Sequence, residues 1–237
     1  MTVKKGKVYL IPCTLGDTPP LEVLPLLVKK AIEEIDHYIV EHEKTARRFI
    51  KNISPRKSQP NLDFSLINKF TDDSEIPAML APCHDGIDVG VLSDAGCPAI
   101  ADPGALVVAA AHRQGIQVVP LVGPSSILLA LMGSGFNGQN FAFNGYLPID
   151  KRERRKELKR LERLSEEQEQ AQIFIETPYR NNQMLESIVS VVNPETMVCV
   201  ACDITLPSEY IKTLAASVWS KKKVDLNKRP TIFIIQK

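Results

Sequence analysis

A chain of 237 residues with 44% hydrophobic and 24% charged residues has the composition of a globular protein, long enough for one large or two modest α/β domains. The formal net charge of +1 excludes a global field for nucleic acid, so any such contact needs a local basic patch. No apolar run approaches the roughly 20 residues of a membrane span, and the N-terminal MTVKKGKVYLIP has neither a signal-peptide core of useful length nor a small-residue cleavage site; the sequence predicts a cytoplasmic protein without membrane contact.

In chain order, KVYLIPC (7–13) predicts a first strand and TLGDTPP a turn. LEVLPLLVKKAIEEI predicts an amphipathic helix with Pro25 near its first turn, where proline is tolerated. DHYIVEH reads as a short strand, KTARRFIKNI as a helix, SPRKSQPNLD as a polar loop and SEIPAMLAPCHDG as a helix ending at Gly86. The strand IDVGVLSD, the helix GALVVAAAHRQG closed by Gly115 and the strand IQVVPLVG follow. This alternation predicts βαβ units and a parallel sheet. From PSSILLALMGSG, a helix with proline at its first position, the pattern changes. A strand (QNFAFNGYLP), a charged helix (KRERRKELKRLERLSEEQEQ), a strand (AQIFIET) and a helix (PYRNNQMLESIVSVV) precede three strands, ETMVCVACDI, SEYIKTL and TIFIIQK, which predict a mixed sheet. The boundary falls near VGPSS, giving two α/β domains, 1–121 and 122–237, with a ligand cleft expected between them.

Several familiar signals fail on context. CVAC, with Cys199 and Cys202, lies inside a strand, where positions three apart point to opposite faces, and no second CxxC completes a zinc site. Cys13, Cys83 and Cys97 and the histidines His37, His42, His84 and His112 have no metal-ligand spacing, so no metal is expected. GSGFNG (133–138) matches G-x-G-x-x-G, but a helix precedes it and a strand follows, the reverse of a dinucleotide fingerprint; it reads as a helix C-cap and turn. Residues 151–160 carry seven Lys/Arg, followed by an acidic, Gln-rich half with Leu158, Leu161 and Leu164 as a narrow apolar stripe. That pattern fits either a solvated surface helix or a basic face for a phosphate backbone.

The informative stretch is SDAGCPAIADPG (93–104), which follows a buried strand with two aspartates, two prolines and two glycines. A plain turn needs far less. It lies past a strand's C-terminal end, where open α/β sheets bind ligands, and its small side chains Ala95 and Gly96 let a ligand approach the backbone. PLVGPSS and IFIETPYR are two further strand-end loops of this kind.

Together, SDAGCPAIADPG, VVPLVGPSS, NGYLP and IFIETPYR, in this order and spacing, resemble the tetrapyrrole methylase superfamily, and within it the ribosomal small-subunit RNA methyltransferase I branch. The resemblance runs most closely from about Val89 to Arg180. It implies S-adenosylmethionine as cofactor, methyl transfer to the ribose 2′-hydroxyl of a cytidine in small-subunit ribosomal RNA, and a homodimer. It also implies a cofactor loop at Ser93, Asp94, Ala95 and Gly96, a junction at Gly123, Ser125 and Ser126, an adenosine border at Glu176 and Thr177, and an adenine contact at Thr231. The loop IPCTLGD would line the substrate side.

The departures cluster outside the cofactor loops. PCTLGD stands where related chains usually read close to PTPIGN, EHEKTARR where they read close to EDTRTARR, and CDITLPSE where they read close to RELTKxxE. Lys44 for arginine loses a bidentate phosphate fork, while Arg47, Arg48, Lys51 and residues 151–160 still offer a basic patch. A 2′-hydroxyl is a poor nucleophile and needs a proton acceptor; Glu41, at a strand end expected to be remote from the cofactor loops, is the candidate, against a plain surface salt bridge to Lys44 or Arg47. Two other readings stay open: methylation of a small molecule such as a tetrapyrrole precursor, and a non-catalytic S-adenosylmethionine-binding protein.

Overall fold

A computed structural model describes residues 4–237; residues 1–3, where the stretch read for a leader begins, lie outside the described residues. The chain divides into two compact units, Met1–Ser125 and Ser126–Lys237.

The first unit contains β1 (Lys7–Ile11), α1 (Pro20–Val23), α2 (Leu26–Glu34), β2 (His37–Val40), α3 (Glu43–Ile53), β3 (Asp63–Leu66), α4 (Ile76–Met79), α5 (Ala81–His84), β4 (Val89–Leu92), α6 (Gly104–Arg113) and β5 (Gln117–Pro120). Its strands form one parallel sheet in the order β3-β2-β4-β1-β5. The period-two alternation of side chains sorts the apolar residues onto two faces. Tyr38 and Val40 join Ile11 and Leu92 in a cluster with Ile32 and Ile50 of the helices. Ile39 joins Val8, Val89 and Val91 in a second cluster with Val107 and Ala110. A parallel sheet needs both faces covered, which explains near-continuous apolar runs such as VGVL.

Three expectations are corrected here. The helix expected across Pro25 is two pieces: Leu24 is extended (φ −113°, ψ 137°) and Pro25 caps α2. Proline excludes the helical region from the residue before it, so the periodicity continues while the helix does not. Residues 74–86 similarly form α4 and α5, broken at Leu80 (φ −96°, ψ 2°). The predicted polar loop 54–63 gives way at its last residue, Asp63, to the edge strand β3, whose residues 64–66 carry no predicted element; β3 pairs in parallel with β2.

The second unit contains α7 (Ser126–Ser134), β6 (Phe141–Tyr146), α8 (Lys151–Gln168), β7 (Ala171–Ile175), α9 (Asn181–Val191), β8 (Met197–Cys202), β9 (Tyr210–Ala215), α10 (Ala216–Trp219) and β10 (Thr231–Gln236). The sheet is mixed, in the order β6-β7-β10-β8-β9, with β6 and β7 parallel and the other neighbours antiparallel. Leu158, Leu161 and Ile188 pack against Phe174, Val200 and Phe233, and the two phenylalanine rings stack at 6.0 Å. Asp150 caps α8 by accepting the Arg152 and Glu153 N–H groups, both at 3.0 Å.

Cys199 and Cys202 are buried in β8. GSGFNG spans the end of α7, with Gly135 in left-handed backbone at φ 77°, and precedes β6. The basic run on α8 is not uniformly a surface: Arg154 is buried, donating to the Ser187 hydroxyl and the Ile149 carbonyl, while Lys156 and Arg160 pair with Glu153 and Glu157. Among the described residues, no helix is long and apolar enough to cross a membrane.

Candidate active site

The register of the first sheet decides where its loops meet. Ile11, Leu92 and Val40 are partners across β1, β4 and β2, so the loops after all three strands leave the sheet at one end. The loops after β1 and β4, together with α3, line a cavity of about 240 Å³. Its lining includes Cys13, Thr18, Arg48, Ser93, Asp94 and Ala95. The first loop is tied to the 93–96 loop by an antiparallel bridge, with the Cys13 N–H donating to the Gly96 carbonyl at 2.9 Å.

The length of SDAGCPAIADPG now has a physical account. Ser93 is buried and its hydroxyl donates to the Ala95 carbonyl at 2.9 Å. Gly96 is at φ 72°, where an added Cβ would also lie 3.1 Å from Leu15 and 3.4 Å from the Pro124 carbonyl oxygen. Further on, Ala99 (φ 67°) and Ala101 (φ 60°) hold left-handed conformations that cost L-residues roughly 1–2 kcal/mol each. Asp102 holds this part of the loop, its Oδ1 accepting the Ala99 N–H at 2.7 Å and the Gly104 N–H at 2.8 Å. Burial raises Asp102 above its ordinary range, against those two N–H groups. The loop is therefore a rigid scaffold as well as a strand end. Gly123 is close by in this unit: the Cys97 thiol lies 3.7 Å from the Gly123 carbonyl, and a Cβ on Gly123 would fall 2.2 Å from the Pro12 ring. Only a bare backbone fits between those two loops.

Glu41 is beside this loop rather than remote from it. It follows Val40, the register partner of Leu92, and its carboxylate accepts the Asp94 N–H. Asp94 in turn accepts from His42, with Nδ1 2.7 Å from Oδ2. Burial raises Glu41 above its ordinary range, and the Asp94 and Asp102 charges add to this, while the Asp94 N–H and His42 oppose it. A carboxyl raised in the folded state contributes stability that is full below its unfolded pKa and is lost as pH rises through the folded value. Glu41→Gln keeps an acceptor for the Asp94 N–H and removes the charge. It is expected to melt at or above the wild-type temperature near pH 8, with the difference vanishing near pH 4. Melting curves at both values check this; a lower melting temperature at the higher pH would refute it.

In the second unit, Glu176 follows β7, Thr231 opens β10 and Asp203 follows β8; the pairings Ile232 with Ile175 and Thr231 with Cys202 bring them to one end of the sheet. Burial pushes Glu176 up, but Arg180 at 2.7 Å and the Thr177 N–H at 2.6 Å together hold it below its ordinary value. Thr231 is buried and donates to the Arg229 carbonyl at 3.0 Å. Ser125 ends the first unit and Ser126 opens α7.

The donor set suits a cationic nucleoside donor. Three carboxylates, Glu41, Asp94 and Asp102, give the strand-end loop of the first unit a negative field. The Thr18 hydroxyl in the same cavity is buried with no partner among the described residues. Thr18, Asp102 and His42 were not expected as site residues; Asp94 was expected at the cofactor loop, but its pairing with His42 was not. Only the register of β2 and β4 brings His42 and Asp94, 52 positions apart, together.

Residues 7–217 match the family of Tetrapyrrole (Corrin/Porphyrin) Methylases. The chain belongs to this family. It is 31% identical to the ribosomal RNA small subunit methyltransferase I of Thermotoga maritima, over 92% of this chain and 94% of that one. It is 26% identical to the protein of the same name from Escherichia coli O157:H7, over 98% of this chain and 78% of that one. The fold is that of the uroporphyrin-III C-methyltransferase of Thermus thermophilus complexed with S-adenyl homocysteine, with a TM-score of 0.60, 16% identity and 98% of each chain covered. Membership of this methylase family places the chain among the methyltransferases.

Proposed function

We propose that this methylase uses S-adenosylmethionine to methylate a ribose 2′-hydroxyl, that of a cytidine, in the RNA of the small ribosomal subunit. The observation that carries the reading is the 31% identity to a ribosomal RNA small subunit methyltransferase I over nearly the whole length of both chains. Surface chemistry supports the acceptor. Lys44, Arg48 and Lys51 are exposed on α3 at i, i+4 and i+7, one stripe of the helix, with no side-chain partner among the described residues. Arg48 also lines the cavity, so the stripe leads a phosphate backbone to it. Arg47 is not part of that stripe: it is committed to Glu43, the Gln59 carbonyl and the Phe64 ring.

When bound, S-adenosylmethionine supplies a methyl carbon already activated by a sulfonium, so the chain's own task is to bind, orient and accept a proton. In the first unit we assign cofactor contacts to Ser93, Asp94, Ala95, Gly96, Gly123 and Ser125, and in the second to Ser126, Glu176, Thr177 and Thr231. The negative field of the strand-end loop favours a sulfonium, and its small side chains leave backbone exposed to the ligand. Proton acceptance belongs to the end of β2, where Glu41 and His42 both contact Asp94. We place the protein in the cytoplasm as a homodimer; α7, with Met132 78% exposed, offers an apolar surface for a second copy.

The test is methyl transfer. Purified protein with labelled S-adenosylmethionine and small subunits lacking ribose methylation is expected to give label recovered as 2′-O-methylcytidine after RNA digestion. Cofactor binding without label in RNA would move the reading to a small-molecule acceptor or to a binding protein.

A further inference from the structure

We propose that His42, oriented by Asp94, is the group that takes the proton from the acceptor hydroxyl; this rests on the methyltransferase reading above. His42 ends the short connection from β2 to α3, directly before the turn that gives Thr45 to the cavity lining. Its ring is held 2.7 Å from Asp94, itself a lining residue. An ionised carboxylate can only accept, so the pair fixes the hydrogen on Nδ1 and leaves the Nε2 lone pair outward. Nε2 has no partner among the described residues, and the side chain is 69% exposed. A neutral imidazole with one nitrogen tied to a carboxylate and the other open is the arrangement of a general base.

Glu41 is less suited. Its carboxylate already accepts the Asp94 N–H, and it is the more buried of the two. We assign it a positioning role: Glu41 holds the backbone of Asp94, and the Asp94 side chain holds His42. The histidine is also this chain's own feature, since the motif it resembles carries aspartate there. In the step, the ribose oxygen forms its bond to the methyl carbon as the methyl–sulfur bond breaks with its electron pair staying on sulfur. The hydroxyl proton passes to Nε2, and the resulting imidazolium is stabilised by Asp94 before the proton is lost to water.

The experiment compares wild type, His42→Gln and Glu41→Gln for methyl transfer to small subunits, with S-adenosylmethionine affinity measured by calorimetry and the imidazole observed by nitrogen-15 NMR. His42→Gln is expected to lose roughly 100-fold or more in rate, the range of general-base catalysis, with cofactor affinity within about twofold of wild type. Glu41→Gln is expected to lose less than about tenfold. His42→Ala is expected to regain rate with added imidazole. In the wild type, neutral His42 is expected to carry its proton on Nδ1, a signature lost in Asp94→Asn; a merely structural histidine would give no rescue by imidazole. A His42→Gln rate within about threefold of wild type, or a larger loss in Glu41→Gln, overturns the proposal. Wild-type protein that labels no RNA overturns the functional reading and this step with it, an outcome separated from the others by the wild-type reaction alone.

Discussion

Gly96→Val is expected to weaken S-adenosylmethionine binding by more than about 100-fold, equivalent to about 2.7 kcal/mol. The backbone there is at φ 72°, a region costing an L-residue roughly 1–2 kcal/mol and a β-branched one more. Space adds to this: even a bare Cβ would sit 3.1 Å from Leu15 and 3.4 Å from the Pro124 carbonyl oxygen, and valine must place two further carbons beyond it. The Gly96 carbonyl also receives the Cys13 N–H at 2.9 Å, so relieving the strain displaces the first loop as well as the 93–96 loop. Calorimetric titration measures the effect. Gly138→Ala is the control, since a Cβ there meets nothing within 4 Å. Affinity within about threefold of wild type in Gly96→Val, a difference of about 0.7 kcal/mol, would remove this loop from the cofactor site.

How much of this was legible depends on the range of the forces involved. The parallel sheet, the mixed sheet and the loop 93–104 were visible because burial of strands and helices writes a short period into the sequence. β3 was not, because its apolar Leu66 is 52% exposed and pairing with β2, rather than burial, makes it a strand. Pro25 and Leu80 broke helices through backbone geometry while leaving the apolar spacing intact. Arg154 looked like one cation in a run of seven. Its burial had a signal all the same: it stands four positions before Leu158 and seven before Leu161, on the stripe that faces the core. The chain from Glu41 through Asp94 to His42 had no local signal, because strand order alone brings it together.

Arg229→Ala is expected to destabilise the second unit by about 2–4 kcal/mol, because it strands a buried carboxylate. Asp203 is buried, sits at φ 51°, and receives Arg229 Nε at 2.7 Å and the Ser208 hydroxyl at 2.8 Å. The same guanidinium donates to the Ser208 carbonyl at 2.7 Å, fastening the turn after β8 to the segment that enters β10. The pair spans 26 positions: Asp203 lies in CDITLPSE, the late stretch where the chain departs from its relatives' usual pattern, while the arginine that answers it comes from outside the motif. The arrangement bears on the cofactor because the Arg229 carbonyl accepts from Asn181 at 2.7 Å and from Thr231 at 3.0 Å. Urea denaturation of Arg229→Ala, Asp203→Asn and the double variant separates the causes. If the penalty is an unpaired buried charge, the double variant is more stable than Arg229→Ala, since asparagine has no charge to strand. If it is less stable, the arginine acts through its carbonyl contacts and the ion pair is incidental to the turn.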